Sequence, residues 1–304
     1  MLSYLLQRLG QSVLVMFGVS LLIFYSLHLT GDPAAIMMPP GSSQQEIANF
    51  RHSMGFDRSL IWQYGHYLNR VLHGDLGESL RYSQPVIGLI AQRVPATLLL
   101  AITALGWSTL AGLLLGIISA LYQNSLWDLL ARLLAFSGQA VPVFWLGLLL
   151  IIIFSLDFRW LPSSGYGSAS QLVMPAISLG AYYMSAIARL IRASLIEVLQ
   201  QDYIRTARAK GLSRWRILVR HGLRNALIPV ITVQGMYFAS LLGGALVTEI
   251  IFAWPGIGRL AVQAIQNRDF PLVQAIVLLA ALVFVAINLI IDLLYVVLNP
   301  RIRL

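Results

Sequence analysis

Six stretches of at least 22 residues carry no Asp, Glu, Lys or Arg: residues 9–31, 94–127, 133–156, 160–188, 225–248 and 270–291. A helix needs about 20 mostly apolar residues to cross the hydrocarbon of a bilayer, so each window is long enough for one span. Of 304 residues, 58% are hydrophobic and only 11% are charged, against about 25% charged in an ordinary soluble domain. Such a chain is neither a water-soluble globule nor disordered. The expected fold class is an all-α polytopic membrane protein with six transmembrane helices. The fourth window is the weakest, because Leu161–Ser170 is rich in Pro, Ser and Gly and reads as a turn. Its helix is expected to be short and to start near Leu172. The first window is longer than the apolar core of about 7–15 residues in a signal peptide. Ser26-Leu27-His28 also makes no small-x-small cleavage site, so this span is expected to be retained.

The net charge is +9, from 21 basic and 12 acidic residues. On composition alone, such an excess fits nucleic-acid binding. Topology explains it better. With both termini on one side, that side carries Arg8, Arg132, Arg301, Arg303 and nine basic residues between Arg189 and Arg224. The opposite side carries eight basic residues balanced by eight acidic ones. Basic residues favour the cytoplasmic side, so both termini are expected in the cytoplasm. The lipid bilayer is then the partner of the apolar surface, and no nucleic acid is called for.

The chain divides by sequence into residues 1–93, the first span with a long outer segment, and 94–304, a five-helix core with a cytoplasmic loop at 189–228. The outer segment, Thr30 to Arg93, contains Pro39-Pro40, Gly41-Ser42-Ser43 and the turn cluster Gly74-Asp75-Leu76-Gly77. Leu60–Leu72 carries Trp62, Tyr64 and Tyr67, which suits a short helix at the membrane surface or a docking face. Trp160 and Tyr166 fall at interface depth, as in an aromatic belt. Trp254-Pro255-Gly256-Ile257-Gly258 reads as a turn leading into a short amphipathic stretch.

Missing chemistry narrows the function. A nucleotide-binding P-loop needs Gly-Lys followed by Ser or Thr, and the single lysine, Lys210, follows Ala209. There is no cysteine, no His-Glu-x-x-His and no Gly-x-Ser-x-Gly. Ion-coupled transporters place ionisable groups inside the bundle, whereas Glu249 and Asp292 stand at window edges. His28 reads as interfacial, and Ser108, Ser119 and Ser240 as packing residues. The chain is therefore expected to be non-catalytic and without a cofactor of its own. A channel or a membrane scaffold shares this composition. Energy for uphill transport would have to come from another polypeptide, through the basic inner loop.

That loop reads Asp202-Tyr203-Ile204-Arg205-Thr206-Ala207-Arg208-Ala209-Lys210-Gly211, and after Leu212–Arg224 come Asn225 and Pro229. The spacing predicts a short helix over Asp202–Lys210 that Gly211 stops. Small residues at Ala207, Ala209 and Gly211 allow close backbone approach, and the arginines offer charge-assisted contacts. This pattern resembles the cytoplasmic loop of ABC importer permeases, in the form used by the dipeptide/oligopeptide/nickel family. The general importer signature begins Glu-Ala-Ala, where this chain has Arg205-Thr206-Ala207, and the Gly-to-Pro spacing is longer. Both departures resemble the peptide branch.

Further matching stretches occur in order along the chain: Met1–Arg8, Gly31-Asp32-Pro33, Gly74–Ser79, Pro95-Ala96-Thr97-Leu98, Val141-Pro142-Val143-Phe144-Trp145, Trp160-Leu161-Pro162, Phe252–Gly258, Arg268-Asp269-Phe270-Pro271 and Asn299-Pro300-Arg301. The long first outer segment resembles the first-listed permease of the pair in this family.

The resemblance implies a type I ABC importer permease of a bacterial cytoplasmic (inner) membrane. It implies a heterodimer with a second, homologous permease, two ATPase subunits that bind ATP and Mg, and an external solute-binding protein. Asp202, Tyr203, Arg205, Ala207, Lys210 and Gly211 would form the ATPase-facing segment, while Asn225 and Pro229 would open the fifth span. Pro142 and Pro175 are expected kink points, because proline removes a helical backbone bond. Small peptides, including glutathione-like ones, are the expected cargo, with nickel complexes as the alternative. No cluster of His, Met or acidic residues marks a metal path.

Overall fold

A computed structural model describes residues 2–29, 31–38 and 41–298. Pro39-Pro40, Asn299-Pro300-Arg301 and Arg303 lie outside the described residues, as do Met1, Thr30 and the side chain of Asp292. The described backbone is helical: α1 (Leu2–Leu29), α2 (Pro33–Met37), α3 (Gln44–Ser53), α4 (Leu60–Leu72), α5 (Val86–Leu121), α6 (Leu126–Ala140), α7 (Val143–Leu150), α8 (Ala169–Leu199), α9 (Asp202–Ala209), α10 (Arg214–Arg216), α11 (Arg224–Ala226), α12 (Ile228–Gly244), α13 (Leu246–Ile251), α14 (Ile257–Gln266) and α15 (Phe270–Leu298). Ile151–Asp157 and Ile217–Leu223 are π-helical. No strand occurs among the described residues beyond an isolated bridge between Glu78 and Pro85.

Among the described residues, four helices are long and apolar enough to cross a membrane: α1, α5, α8 and α15. Two further pairs qualify if each bent pair counts as one span. One joins α6 to Val143–Asp157 with a bend of 106°, and the other joins Arg214–Ala226 to Ile228–Leu242 with a bend of 41°. The fourth window gives the largest departure from expectation. Its helix is not short: α8 runs for 31 residues and begins at Ala169. The Gln171 side chain turns back to accept the Ser168 N–H at 3.0 Å, which satisfies a first-turn donor. At the other end, α8 continues through Arg189 and Arg192 to Leu199. Charge marks where a helix leaves the hydrocarbon, not where its hydrogen bonding stops.

The chain forms two compact units. The first comprises residues 1–95, 256–289 and 299–304. Its core joins Val86, Leu89 and Ile90 to Leu260, Ala264, Leu272, Ala275 and Ile276. Of the aromatic residues expected on α4, Tyr64 and Tyr67 pack against α1, Tyr64 lying 5.3 Å from Phe24 and 5.9 Å from Phe17 between ring centroids, while Trp62 stacks on His66 at 5.1 Å. The turn cluster is built as such, with positive φ at Gly74 and Gly77 and Asp75 accepting the Gly77 N–H at 2.9 Å. The Arg70 guanidinium beside Asp75, helped by that N–H, holds its carboxyl below the usual carboxylate range. Arg51 does the same for Asp32.

The second unit comprises residues 96–255 and 290–298, and α8 is its axis. Thirteen α8 residues are buried, and α6, α7, α12 and α13 all pack on α8. Small residues set the spacing. A Cβ on Gly116 would fall inside Ile191 and within 2.7 Å of the Ala188 carbonyl oxygen. One on Gly112 would come within 2.8 Å of the Met184 oxygen, and one on Gly180 within 2.7 Å of the Ala104 oxygen. Gly138 of α6 is equally tight against Ala181 and Ser185. Without a hydrophobic force between helices in lipid, such close approach is a main source of association.

Gly116→Ala is therefore expected to lower stability by roughly 1–3 kcal/mol through overpacking. Gly106→Ala, where a Cβ meets nothing within 4 Å, is expected to be neutral. Thermal unfolding of the two variants in the same detergent checks the pair, and equal melting would contradict the packing assignment.

Candidate functional site

The predicted inner-loop helix is present. Gln201 leaves α8 in an extended conformation and α9 follows over Asp202–Ala209. Gly211 ends it with φ +75°, donating to Arg208 O at 2.9 Å while Leu212 N reaches Ala207 O at 3.3 Å. This left-handed turn satisfies carbonyls that the helix end would leave free.

α9 has two faces. Ile204 and Ala207, three apart, are buried against Ile217 and Leu212. The close approach that Ala207 permits is thus made within the chain. Asp202, Tyr203, Arg205, Arg208 and Lys210 are exposed. Arg205 stands 3.7 Å from Asp202, a loose and solvated pair that contributes little.

Two residues singled out by sequence meet here. Asn225 donates to the Tyr203 hydroxyl at 2.8 Å and to His221 O at 3.2 Å. Tyr203, Arg220, His221, Arg224, Asn225 and Ile228 line an open cleft of about 570 Å³. Pro229 sits in the first turn of α12, where its missing N–H costs nothing. Pro142 stands at the 106° break between α6 and α7. Pro175 is buried inside α8.

The sequence does not show that three carboxylates among the described residues are buried. Asp128, fully buried, accepts from the Ser119 hydroxyl, from Asn124 N at 3.1 Å and from Arg192 at 3.3 Å, with Arg132 at 3.2 Å. Ser119 is therefore a polar partner and not a packing residue. The same correction applies to Ser240, which accepts from the Tyr183 hydroxyl at 3.1 Å. The i,i+4 spacing of Asp128 and Arg132 was the available signal, while the Arg192 contact spans 64 positions.

Glu249 lies in the first turn of α13 and is fully buried. It accepts from the Thr97 hydroxyl at 2.7 Å, and Trp254 Nε1 donates to Ala96 O at 2.8 Å. Two of the motif stretches thus meet: Pro95-Ala96-Thr97 and Phe252-Ala253-Trp254. Tyr166, expected at the interface, packs its ring edge-on to Trp254 at 4.9 Å. In the first unit, Asp269 is fully buried at the start of α15. It accepts from the Ser79 hydroxyl, from Leu80 N at 3.2 Å and from Arg81 N at 3.3 Å. His28 is bound to Phe24 O at 3.1 Å and to Gln63 at 3.0 Å.

Residues 112–304 match the family described as binding-protein-dependent transport system inner membrane component, and residues 1–101 match its N-terminal region. The chain belongs to this family. It is a multi-pass permease of the inner membrane. Along its whole length it is 44% identical to the glutathione transport system permease protein GsiC of Escherichia coli (strain CFT073) and 45% identical to that of Salmonella typhimurium (strain LT2), covering 99% of each. Two solved structures share the fold. One is an amino acid ABC transporter, at 18% identity and a TM-score of 0.55, matched over 68% of this chain and 93% of the other. The other is the inward-facing MetNI methionine ABC transporter, at 19% identity and a TM-score of 0.54, matched over 68% and 96%.

Asp269→Ala would leave the Leu80 and Arg81 N–H groups without their charged acceptor, at an expected cost of about 2–4 kcal/mol. Limited proteolysis of the purified variant should show faster cleavage between Gly74 and Pro85. A cleavage pattern identical to that of the unaltered protein would contradict this anchoring role.

Proposed function

We propose that this permease forms half of the translocation pathway of an ATP-driven importer for small peptides of the glutathione type. The full-length likeness to glutathione permeases carries the cargo assignment. In this reading the four long helices and the two bent pairs make six spans, with both termini in the cytoplasm and residues 189–228 as the coupling loop. A second, homologous permease completes the pathway. Two ATPase subunits dock inside, holding ATP and Mg, and a solute-binding protein delivers peptide from outside.

The isolated amphipathic helix α9 is the observation that supports the docking site. Its buried edge, Ile204 and Ala207, fixes it to the permease. Its exposed edge presents Asp202, Tyr203, Arg205 and Lys210, and Gly211 sets the turn that aims it. The Asn225–Tyr203 hydrogen bond links α9 to the bend before α12, so a push on α9 has a direct route into a span. Pro142 at its break and Pro175 within α8 are the points where spans would flex during alternating access.

Reversing charge on the exposed edge, as in Arg205→Glu with Lys210→Glu, is expected to cut substrate-stimulated ATP hydrolysis by the assembled transporter about tenfold or more. Insertion in the membrane should be unchanged. Gly211→Arg, which combines a bulky cation with a backbone angle that disfavours any side chain, should uncouple hydrolysis from uptake. Normal stimulated hydrolysis and uptake in both variants would reject α9 as the docking helix. Proteoliposomes holding only this polypeptide should take up no glutathione, and uptake by them would reject energy supply from a partner.

A further inference from the structure

A cavity of about 500 Å³ opens on the second unit beside the Asp128 cluster. Its walls are apolar, with Leu115 from α5 and the exposed Leu133 and Phe136 from α6. Three arginines enter it: Arg132, Arg189 and Arg192. The single carboxylate among them, Asp128, is buried and faces both Arg192 and Arg132. Arg189 is exposed and bound to the neutral Gln139. The site therefore keeps a surplus of two positive charges next to exposed hydrocarbon. The arginines sit where α8 approaches the basic inner loop and where α6 begins.

We propose that this cavity is a binding site for an anionic phospholipid of the inner leaflet. A phosphate headgroup would sit on Arg132 and Arg189, and its acyl chains would lie along Leu133 and Phe136. The combination of clustered cations and apolar walls suits a molecule with a charged head and two hydrocarbon tails. A small peptide, polar along its whole length, would leave those walls unmatched. Basic pockets between spans at the cytoplasmic side select anionic lipids for this reason. Arg192, held by Asp128, braces the site. The leaflet rests on the topology proposed above, whereas headgroup preference does not.

The test uses the full chain with its co-purifying subunits, equilibrated with mixed vesicles of equimolar phosphatidylglycerol and phosphatidylcholine and then read by native mass spectrometry. Retained phosphatidylglycerol should exceed phosphatidylcholine about tenfold. R132Q/R189Q should bring that ratio near one, while R132K/R189K and the distant pair R214Q/R216Q should keep it. Equal retention of both lipids by the unaltered protein would overturn the proposal, and so would a preference that survives R132Q/R189Q. Loss of a permease partner from R132Q/R189Q at unchanged lipid selectivity would make the cavity a subunit interface. A changed KM for peptide at unchanged selectivity would make it part of the pathway. Either result overturns the lipid assignment.

Discussion

In a bilayer there is no water to rescue an unpaired peptide group and little hydrophobic gain when one helix leaves lipid for another. Everything in the second unit depends on how α8 meets that constraint. Gly112 and Gly116 of α5, Gly138 of α6 and Gly180 of α8 itself remove side-chain bulk at the crossings. Backbones then approach closely enough for dispersion to hold them. Polar side chains use the same closeness: Trp107 reaches Ala176 O at 2.6 Å, and Ser185 reaches Ala135 O. A methyl group at one of these glycines would push apart both the packing and the hydrogen bonds that it permits.

Buried carboxylates do the complementary work of fixing loops and helix ends. Asp128, Glu249 and Asp269 are each fully buried. Asp128 accepts from Ser119 and Arg192 and pairs with Arg132, while Asp269 accepts from Ser79 and three backbone amides. Removing one member of such a buried ionic set typically costs several kcal/mol, because the other is left without compensation. These groups sit at the ends of α6, α13 and α15 and not in the middle of an apolar window. They order the ends of the spans. Arg192 lies on α8, which ends at Leu199 shortly before α9 begins at Asp202.

Much of this was legible in the sequence. The charge-free windows located the long helices, and the turn at Gly74–Gly77, the helix Leu60–Leu72 and the inner-loop helix ending at Gly211 all formed as read. These features are local: helix stops, turn glycines and apolar runs act within a few residues. The misreadings were of another kind. The turn-like Leu161–Ser170 stretch predicts a short fourth helix, yet α8 gains its length at the other end, running past Arg189 to Leu199, and Arg192 finds its partner in Asp128 across 64 positions. Ser119 and Ser240 were read as packing residues because their partners, Asp128 and Tyr183, come from other helices.

The sequence by itself determined that this is a mainly helical membrane chain, where its apolar runs fall, and that nine of its 21 basic residues lie between Arg189 and Arg224. These follow from solvation, which acts on each segment separately. Only the tertiary structure decided that Ala207 faces inward while Arg205 faces out, that Asn225 holds Tyr203, and that three arginines converge beside one buried aspartate. These facts depend on which helix faces lie against each other, and the small-residue crossings along α8 set that arrangement by distance and shape.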